Sequence, residues 1–374
     1  MRFPDDVPTL VHGDVMLRAH RLSDAEAVME QCTDPESVEW TTVPLGYDHA
    51  MAVDWLTGRI PQVWATGEEA LFAIESTHPD GRRRFSGSLS LRSRGDKLAE
   101  IAYGAHPDVR GRGVMTTAVR LLLHHAFADL GLETVIWWAN RGNVASRRVA
   151  WKVGFTFGGT VPRWLDQRGD FKDAWVGSLH RTDTQEPKNQ WLTAPVIESG
   201  RLRLRPQSGH DLDRTVSACN DPRTHQWLPI LPSPYTAADA RTYHAMVTER
   251  MVTGTGVFWT IADPGTDELV GSIGVPRMAH GTAEIGYWMH PAARGGGAMT
   301  EAVRLLVPHL FAPTVDGGLG MRRIFIKTAA GNAASQHVAR ANGFTEYGRE
   351  RGATVLGDAS YDDHVLFDLL AHEM

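Results

Sequence analysis

Two short stretches of this chain carry the same chemistry-bearing residues in the same order. Glu100 opens a run that ends in Arg110-Gly111-Arg112-Gly113-Val114-Met115, and Glu284 opens one that ends in Arg294-Gly295-Gly296-Gly297-Ala298-Met299. Over Glu100–Thr116 and Glu284–Thr300, 10 of 17 positions are identical at an offset of 184. A glycine-rich turn that opens a helix leaves backbone N–H groups unpaired at the positive end of the helix dipole. Missing Cβ atoms let a phosphate approach that backbone closely. The turn therefore suits a pyrophosphate, with Arg110, Arg112 or Arg294 adding charge. No Gly-Lys-Ser/Thr follows, so it is not a nucleoside triphosphate loop. It also lacks the Gly-x-Gly-x-x-Gly dinucleotide spacing. The plain alternative is a strand–helix turn that needs positive φ.

Such a turn must be held between a strand and a helix, and the surrounding pattern supplies both. Leu98–Ala105 reads as a strand, and Val114–Leu130 as a helix with Ala118, Val119, Leu122, Ala126 and Leu130 on one face. Upstream, Val15–Arg18, Leu71–Ile74 and Phe85–Leu91 read as strands. Ser23-Asp24-Ala25-Glu26 reads as a capped helix start, and Asp48–Trp64 as a second helix. Downstream come a strand at Thr134–Ala139, a helix over Asn143–Val153 capped by Asn143, and closing strands at Phe155–Thr160 and Asp173–His180. Val161–Lys172 and Arg349–Asp358 read as loops able to shape a binding site. Mixed strands and helices around one sheet make an α+β unit.

The whole unit is repeated. Cys32-Thr33-Asp34-Pro35 matches Cys219-Asn220-Asp221-Pro222, with Trp40 matching Trp227, at an offset of 187. Asn143, Ser146, Gly154 and Phe155 match Asn332, Ser335, Gly343 and Phe344 at an offset of 189. A chain of 374 residues thus divides into two copies of one unit of about 180 residues, a normal domain size. The expected boundaries are 1–184 and 200–374, with a polar linker over 185–199. A net charge of −6 does not favour nucleic acid or anionic membranes as partners. Two cysteines rule out a disulfide framework or a four-cysteine zinc site. His106-Pro107 and His290-Pro291 read chiefly as turns, and no metal site is expected. The lack of a signal sequence or long apolar run leads to the expectation of a cytoplasmic protein.

Arg110-x-x-Gly113-x-Met115 between a strand and a long helix, followed by Asn143-x-x-Ser146 and Gly154-Phe155, resembles the Arg-x-x-Gly-x-(Gly/Ala) loop and later helix of the GNAT N-acetyltransferases, in particular their RimJ/RimL-like branch, with Met115 and Met299 departing from the last small residue. The resemblance runs over nearly the whole chain, twice. It implies two tandem acyl-CoA N-acyltransferase domains, each a mixed, splayed central sheet with flanking helices. It implies acetyl-CoA as co-substrate, without a metal. It assigns the cofactor contacts to Ala105, Arg110, Gly111, Arg112, Gly113, Val114, Met115 and Asn143, and in the second copy to Met289, Arg294, Gly295, Gly296, Gly297, Ala298, Met299 and Asn332. Glu100 and Glu284 become candidate bases for the amine, against a strand-end salt bridge. Ser146 and Ser335 become candidate donors to the departing sulfur, against local helix-start bonding. Many relatives place a tyrosine acid where this chain has Ala150 and Ala339. The amides of Gly104 or Ala105 are the implied oxyanion donors.

Trp40 and Trp227 are candidates for an acceptor pocket or for core packing. Pro308 inside the second long helix and Gly296 in place of Arg112 make the first copy the better-formed site on sequence. The implied acceptor is a primary amine of a small molecule, or alternatively a protein N-terminus. A non-catalytic acyl-CoA sensor, or one active and one structural domain, stays open. So does the choice between a monomer with paired domains and a homodimer.

Overall fold

The structure is a computed structural model that describes residues 2–374. It divides into two units, Met1–Lys188 and Asn189–Met374. The first contains strands β1 (Leu10–His12), β2 (Val15–Arg18), β3 (Glu69–Thr77), β4 (Arg83–Ser93), β5 (Leu98–Ala105), β6 (Thr134–Asn140), β7 (Thr156–Gln167) and β8 (Asp170–His180). Its helices are α1 (Ala25–Thr33), α2 (Pro35–Trp40), α3 (His49–Asp54), α4 (Ile60–Thr66), α5 (Val114–Ala128) and α6 (Val144–Lys152). The second contains β9 (Ile197–Glu198), β10 (Arg203–Arg205), β11 (Val257–Ala262), β12 (Leu269–Ala279), β13 (Thr282–Met289), β14 (Arg323–Ala329), β15 (Thr345–Val355) and β16 (Tyr361–Leu370). Its helices are α7 (Leu212–Cys219), α8 (Pro222–Trp227), α9 (Ala237–Val252), α10 (Ala298–Phe311) and α11 (Ala333–Ala341).

Each unit builds one eight-stranded sheet, in the order β1-β2-β3-β4-β5-β6-β8-β7 and β9-β10-β11-β12-β13-β14-β16-β15. All pairings are antiparallel except β5 with β6 and β13 with β14. A parallel neighbour needs a crossover, which α5 and α10 provide. The crossover helices bury their apolar faces on the sheet. Ala118, Val119, Leu122, Leu123 and Ala126 are fully buried, as are Ala302, Val303, Leu306 and Leu310. Leu130, expected on that face, lies beyond the end of α5 and is only half-buried.

The parallel pairing is short. β5 meets β6 only from Leu98 to Ile101, and β13 meets β14 only from Thr282 to Glu284. β5 stays paired to β4 through Ala105, so its last four residues part from β6 and leave a V-shaped gap. This is the splayed, mixed sheet expected in each copy.

Several boundaries differ from the sequence reading. The stretch expected as a linker over 185–199 supplies Leu192 and Ala194 to the second core and β9 to the second sheet. The expected loops Val161–Lys172 and Arg349–Asp358 are largely strand, because β7–β8 and β15–β16 are long hairpins. Arg168 and Gly169 close the first hairpin, both with positive φ, the conformation of a two-residue turn matched to strand twist. Ser23 does not cap α1. Asp24 ends a short turn before the helix, and its carboxylate takes the Arg21 amide and the Arg18 guanidinium instead. Pro61, with no N–H to give Thr57, sits just past a π-turn over 55–59 that joins α3 to α4. Pro308 leaves α10 intact until Phe311, so it shortens the helix at its far end. No helix among the described residues is long and apolar enough to cross a membrane.

One ion pair is copied in both cores. Arg18 bonds Asp24 through two nitrogens at 2.8 Å, and Arg205 bonds Asp211 at 2.8 and 2.9 Å. Burial acts to raise the Asp211 carboxyl, but the Arg205 guanidinium, the Ser208 amide and the Thr260 hydroxyl outweigh it and hold the group below its usual range. A depressed folded-state value adds stability above the unfolded value, near pH 4, that is lost as pH falls through the folded value. Asp211→Asn removes the bidentate partner of the partly buried Arg205 guanidinium, which keeps Asp267 at 3.0 Å, and should cost about 1.5–3 kcal/mol. Thermal denaturation at pH 7 should show the second unit destabilised, and the gap to wild type should close as pH is lowered below about 4. A gap that is independent of pH would contradict the ion-pair account.

Candidate active site

The gap between β13 and β14 opens into a cavity of about 650 Å³. Its wall brings together Glu284, Met289, Arg294, Gly295, Gly297, Ala298, Met299, Asn332, Ser335 and Trp227, all singled out from the sequence. Gly296 is not on that wall. Tyr287, Lys327 and His364 line it too. Three independent elements therefore converge on one space: the open edge of β13, the start of α10, and the start of α11.

The glycine loop is shaped by backbone conformation. Gly111 and Gly113 have φ of 75° and 82°, and Gly295 and Gly297 have 84° and 75°. Nothing lies within 4 Å of where their Cβ atoms would stand, so these glycines are present for positive φ and leave open space above the loop. Gly296 is not in the left-handed region, which explains why Arg112 can occupy the matching position. The first intrahelical bonds run from Thr117 to Gly113 and from Glu301 to Gly297. The amides of Val114, Met115 and Thr116, and of Ala298, Met299 and Thr300, precede them and have no acceptor within the helix. They form an anion-binding end.

The loop arginines are used differently from the expectation. Arg110 reaches Asp34 at 2.6 Å, Glu36 at 2.7 Å and the Ser37 hydroxyl at 2.9 Å. Arg294 reaches Asp221 at 2.8 Å and the Thr224 hydroxyl at 2.8 Å. In both copies the arginine ties the loop to the Asp-Pro start of the short helix, α2 or α8. Burial pushes the Asp34 carboxyl up, and Arg110 with the Ser37 amide pulls it further down, below its usual value. Arg112 turns away to donate to the Thr77 carbonyl at 3.2 Å.

The strand edge also sorts its amides. His106 donates to Ser86, and His290 to Val270, across the antiparallel neighbour. By two-residue alternation, Tyr103 and Ala105 present their amides to the gap, as do Tyr287 and Met289. Gly104 instead faces β4, opposite Ser88, so of the two amides considered only that of Ala105 is turned toward the gap.

Asn143 and Asn332 cap α6 and α11 by accepting from the Ser146 and Ser335 amides at 3.0 and 3.2 Å. The serine hydroxyls then meet a residue that the sequence reading passed over. The Tyr287 hydroxyl lies 2.9 Å from Ser335 Oγ, and the Tyr103 hydroxyl donates to the Ser146 carbonyl at 2.8 Å. Burial pushes the Tyr287 phenol up to about 12, against the Ser335 hydrogen bond, so it stays protonated as a donor. Its signal was present: Tyr103 and Tyr287 sit at the repeat offset of 184, inside the duplicated run.

The two copies diverge at the glutamate. Glu100 is 3% exposed and engaged at both oxygens, by Trp138 Nε1 at 2.8 Å on one and by Arg94 on the other. Glu284 lines the cavity, and its one ion pair among the described residues is a loose one, with the exposed Arg277 at 3.9 Å. One difference is Arg94, which pairs with Glu100, and another lies on the neighbouring strand. Trp137 and Trp138 of β6 stand where β14 has Ile326 and Lys327. Trp137 donates to Ser146 Oγ at 3.1 Å, and Trp138 packs edge-on to Trp164. Neither Pro308 nor Gly296 disturbs the second cavity. Pro308 acts at the far end of α10, and Gly296 lies off the wall. Trp40 borders a separate cleft of about 790 Å³ with Gln167, Arg168 and Lys172. Its ring comes within 3.2 Å of the Cβ position at Gly142, as Trp227 comes within 3.4 Å at Gly331.

The acetyltransferase (GNAT) domain family matches this chain twice, over residues 14–156 and 201–345, and the chain belongs to that family. A 103-residue stretch is 38% identical to the ribosomal-protein-serine acetyltransferase of Escherichia coli (strain K12), covering 27% of this chain and 54% of that protein. The chain spans about half the length of the curated relatives it matches. Among solved structures, it is similar to RimL, a ribosomal L7/L12 alpha-N-protein acetyltransferase in complex with coenzyme A, at 23% identity over 48% of this chain and 100% of that one, with a TM-score of 0.43. Mycobacterium smegmatis RimJ in complex with a CoA-disulfide is 24% identical over 48% and 90%, with a TM-score of 0.41.

The loop geometry is directly testable. Gly297→Ala forces a side chain into the left-handed region and should cost about 1–2 kcal/mol. Gly296→Ala, one residue earlier, should change stability by no more than about 0.5 kcal/mol. Thermal denaturation of the two variants compares them, and equal losses would contradict the assigned loop conformation.

Proposed function

We propose that this chain is an acetyl-CoA-dependent N-acetyltransferase whose C-terminal domain carries out transfer to a primary amine. The observation that carries this is the convergence of Glu284, Ser335 with Tyr287, and the free α10 amides on one cavity. Acetyl-CoA supplies the acetyl group as a thioester. The α10 amides and the open glycine loop fit its pyrophosphate, and the tied Arg294 keeps that loop in place. The Tyr287 and Met289 amides, left without a strand partner, are available to hold the thioester carbonyl oxygen as charge builds on it.

Glu284 takes a proton from the incoming amine, directly or through water, so that the nitrogen lone pair can form the N–C bond. As the C–S bond breaks, Ser335, backed by the Tyr287 hydroxyl, donates a hydrogen bond to the departing sulfur. No covalent bond to the protein is needed. In the first domain Glu100 is held by Arg94 and Trp138, which supports a structural or binding role for that copy.

A small-molecule amine is the acceptor we favour. A peptide N-terminus is the second reading, and the similarity to the ribosomal-protein-serine acetyltransferase of Escherichia coli favours it. Release of free thiol across a panel of small amines and N-terminal peptides separates the two. With any accepted amine, Glu284→Gln should lower kcat by about 10²–10⁴-fold, while Glu100→Gln should leave it within about twofold. Equal losses, or none from Glu284→Gln, would assign the chemistry elsewhere. Native mass spectrometry reports how many acetyl-CoA molecules each chain holds.

A further inference from the structure

Two His-Pro-Asp tripeptides, His78-Pro79-Asp80 and His106-Pro107-Asp108, lie 28 residues apart in the first domain. The ends of β3 and β5 bring their histidines side by side, with ring centroids 5.3 Å apart. Both rings are almost fully buried, at 1% and 2% exposure, while Asp108 is exposed.

The outer partners fix which nitrogen of each ring carries the proton. His78 Nε2 lies 2.9 Å from the Phe85 carbonyl, which can only accept, so Nε2 donates. His106 Nε2 lies 3.0 Å from the Glu30 carboxylate and donates there. Each neutral ring is left with a lone pair on Nδ1. His78 Nδ1 has no hydrogen-bond partner and sits 3.5 Å from Asp108 Oδ2. His106 Nδ1 sits 3.8 Å from the same oxygen and accepts weakly from the Asp108 amide at 3.3 Å. Three electron-rich atoms therefore face one another within 4.8 Å. Arg84 meets the Asp108 oxygen at 3.0 Å, but the buried His78 lone pair has no donor, and a cation shared by the three atoms would satisfy it.

A second proton on His78 is the other way to satisfy that lone pair. Ligands at about 2.0–2.2 Å from a tetrahedral zinc lie roughly 3.4 Å apart, close to the spacings seen. His106 donating its outer N–H to Glu30 is the carboxylate–histidine support that metal-binding imidazoles use.

We propose that His78 Nδ1, His106 Nδ1 and Asp108 bind one divalent transition ion of zinc type, with a fourth position open to water. Arg84 also holds Asp108 Oδ2, at 3.0 Å, and keeps Asp80 as a partner when the ion takes that oxygen. The ion staples the β3–β4 turn to the residues that lead into the first glycine loop, two positions before Arg110. The second domain is an internal control. His290 repeats the turn, accepting from the Ala292 amide at 3.3 Å, but Ala292 replaces the aspartate.

The test uses the full chain after dialysis against a chelator, titrated with Zn²⁺ by calorimetry and with Co²⁺ by visible absorption. Wild type should bind one ion per chain, with a raised melting temperature in the loaded form. Asp108→Asn should weaken binding by at least about 100-fold, and Glu30→Gln by about 10–100-fold. His290→Asn should leave stoichiometry and affinity unchanged. His78→Gln should also abolish binding. If that buried variant does not fold, Asp108→Asn, at an exposed position, decides. No uptake by wild type, or wild-type affinity in Asp108→Asn, overturns the proposal. So does a His78 imidazole that titrates near neutral pH with no metal taken up.

Discussion

Everything at the site follows from a parallel strand pair that stops early. β13 and β14 share only three residue pairs before they separate, and β5 and β6 only four. Backbone N–H groups beyond that point have lost a ladder partner, and a buried amide left unpaired is costly. The opening persists because β13 is gripped on its other side by β12, and because α10 must leave the strand end to make its crossover. The same departure exposes the first amides of α10. One topological event thus places two sets of unpaired donors, one from a strand edge and one from a helix start, around a single space. A thioester joined to a pyrophosphate has acceptors for both.

Duplication shows how little is needed to redirect that space. The two sheets have the same order, the same parallel pair and the same left-handed glycines. Around the glutamate they differ at Arg94, which pairs with Glu100, and at two adjacent residues of β6 and β14. Trp138 caps Glu100 with an indole N–H and lies under Arg94, which buries the carboxylate as part of a packed cluster. Lys327 is longer and more flexible, takes a loose contact with Glu350 at 3.4 Å, and leaves Glu284 facing the cavity. Identical glutamates at identical register positions thereby have different surroundings.

The repeat and the long helix after each glycine loop were legible because they depend on periodicity and on residues copied at fixed offsets, whereas the mixed sheet came only from the family resemblance. The glycine loop was legible because positive φ selects glycine and little else. The fate of the arginines was not. A guanidinium beside a phosphate loop looks like a phosphate ligand, and only the fold reveals that Asp34 and Asp221, more than 70 residues away, already hold it. The long hairpins were missed because β7 and β15 are polar and exposed on much of their length, so no apolar alternation marked them. Tyr287 was visible as a repeated residue, but its contact with Ser335 spans 48 positions and has no local signature.

The tied arginines bear on what binds anions here. If Arg110 and Arg294 are committed to Asp34 and Asp221, their charges are largely neutralised before any phosphate arrives. The attraction then rests on the helix-start amides, whose partial charges are fixed by the backbone and survive substitution of side chains. That accounts for the exchange of Arg112 for Gly296 between copies without loss of loop shape. It also gives the arginine–aspartate pair a mechanical role. By locking the loop to α2 or α8, it holds the amides in the one orientation in which their dipoles add, so the order of the loop is built in before the ligand binds.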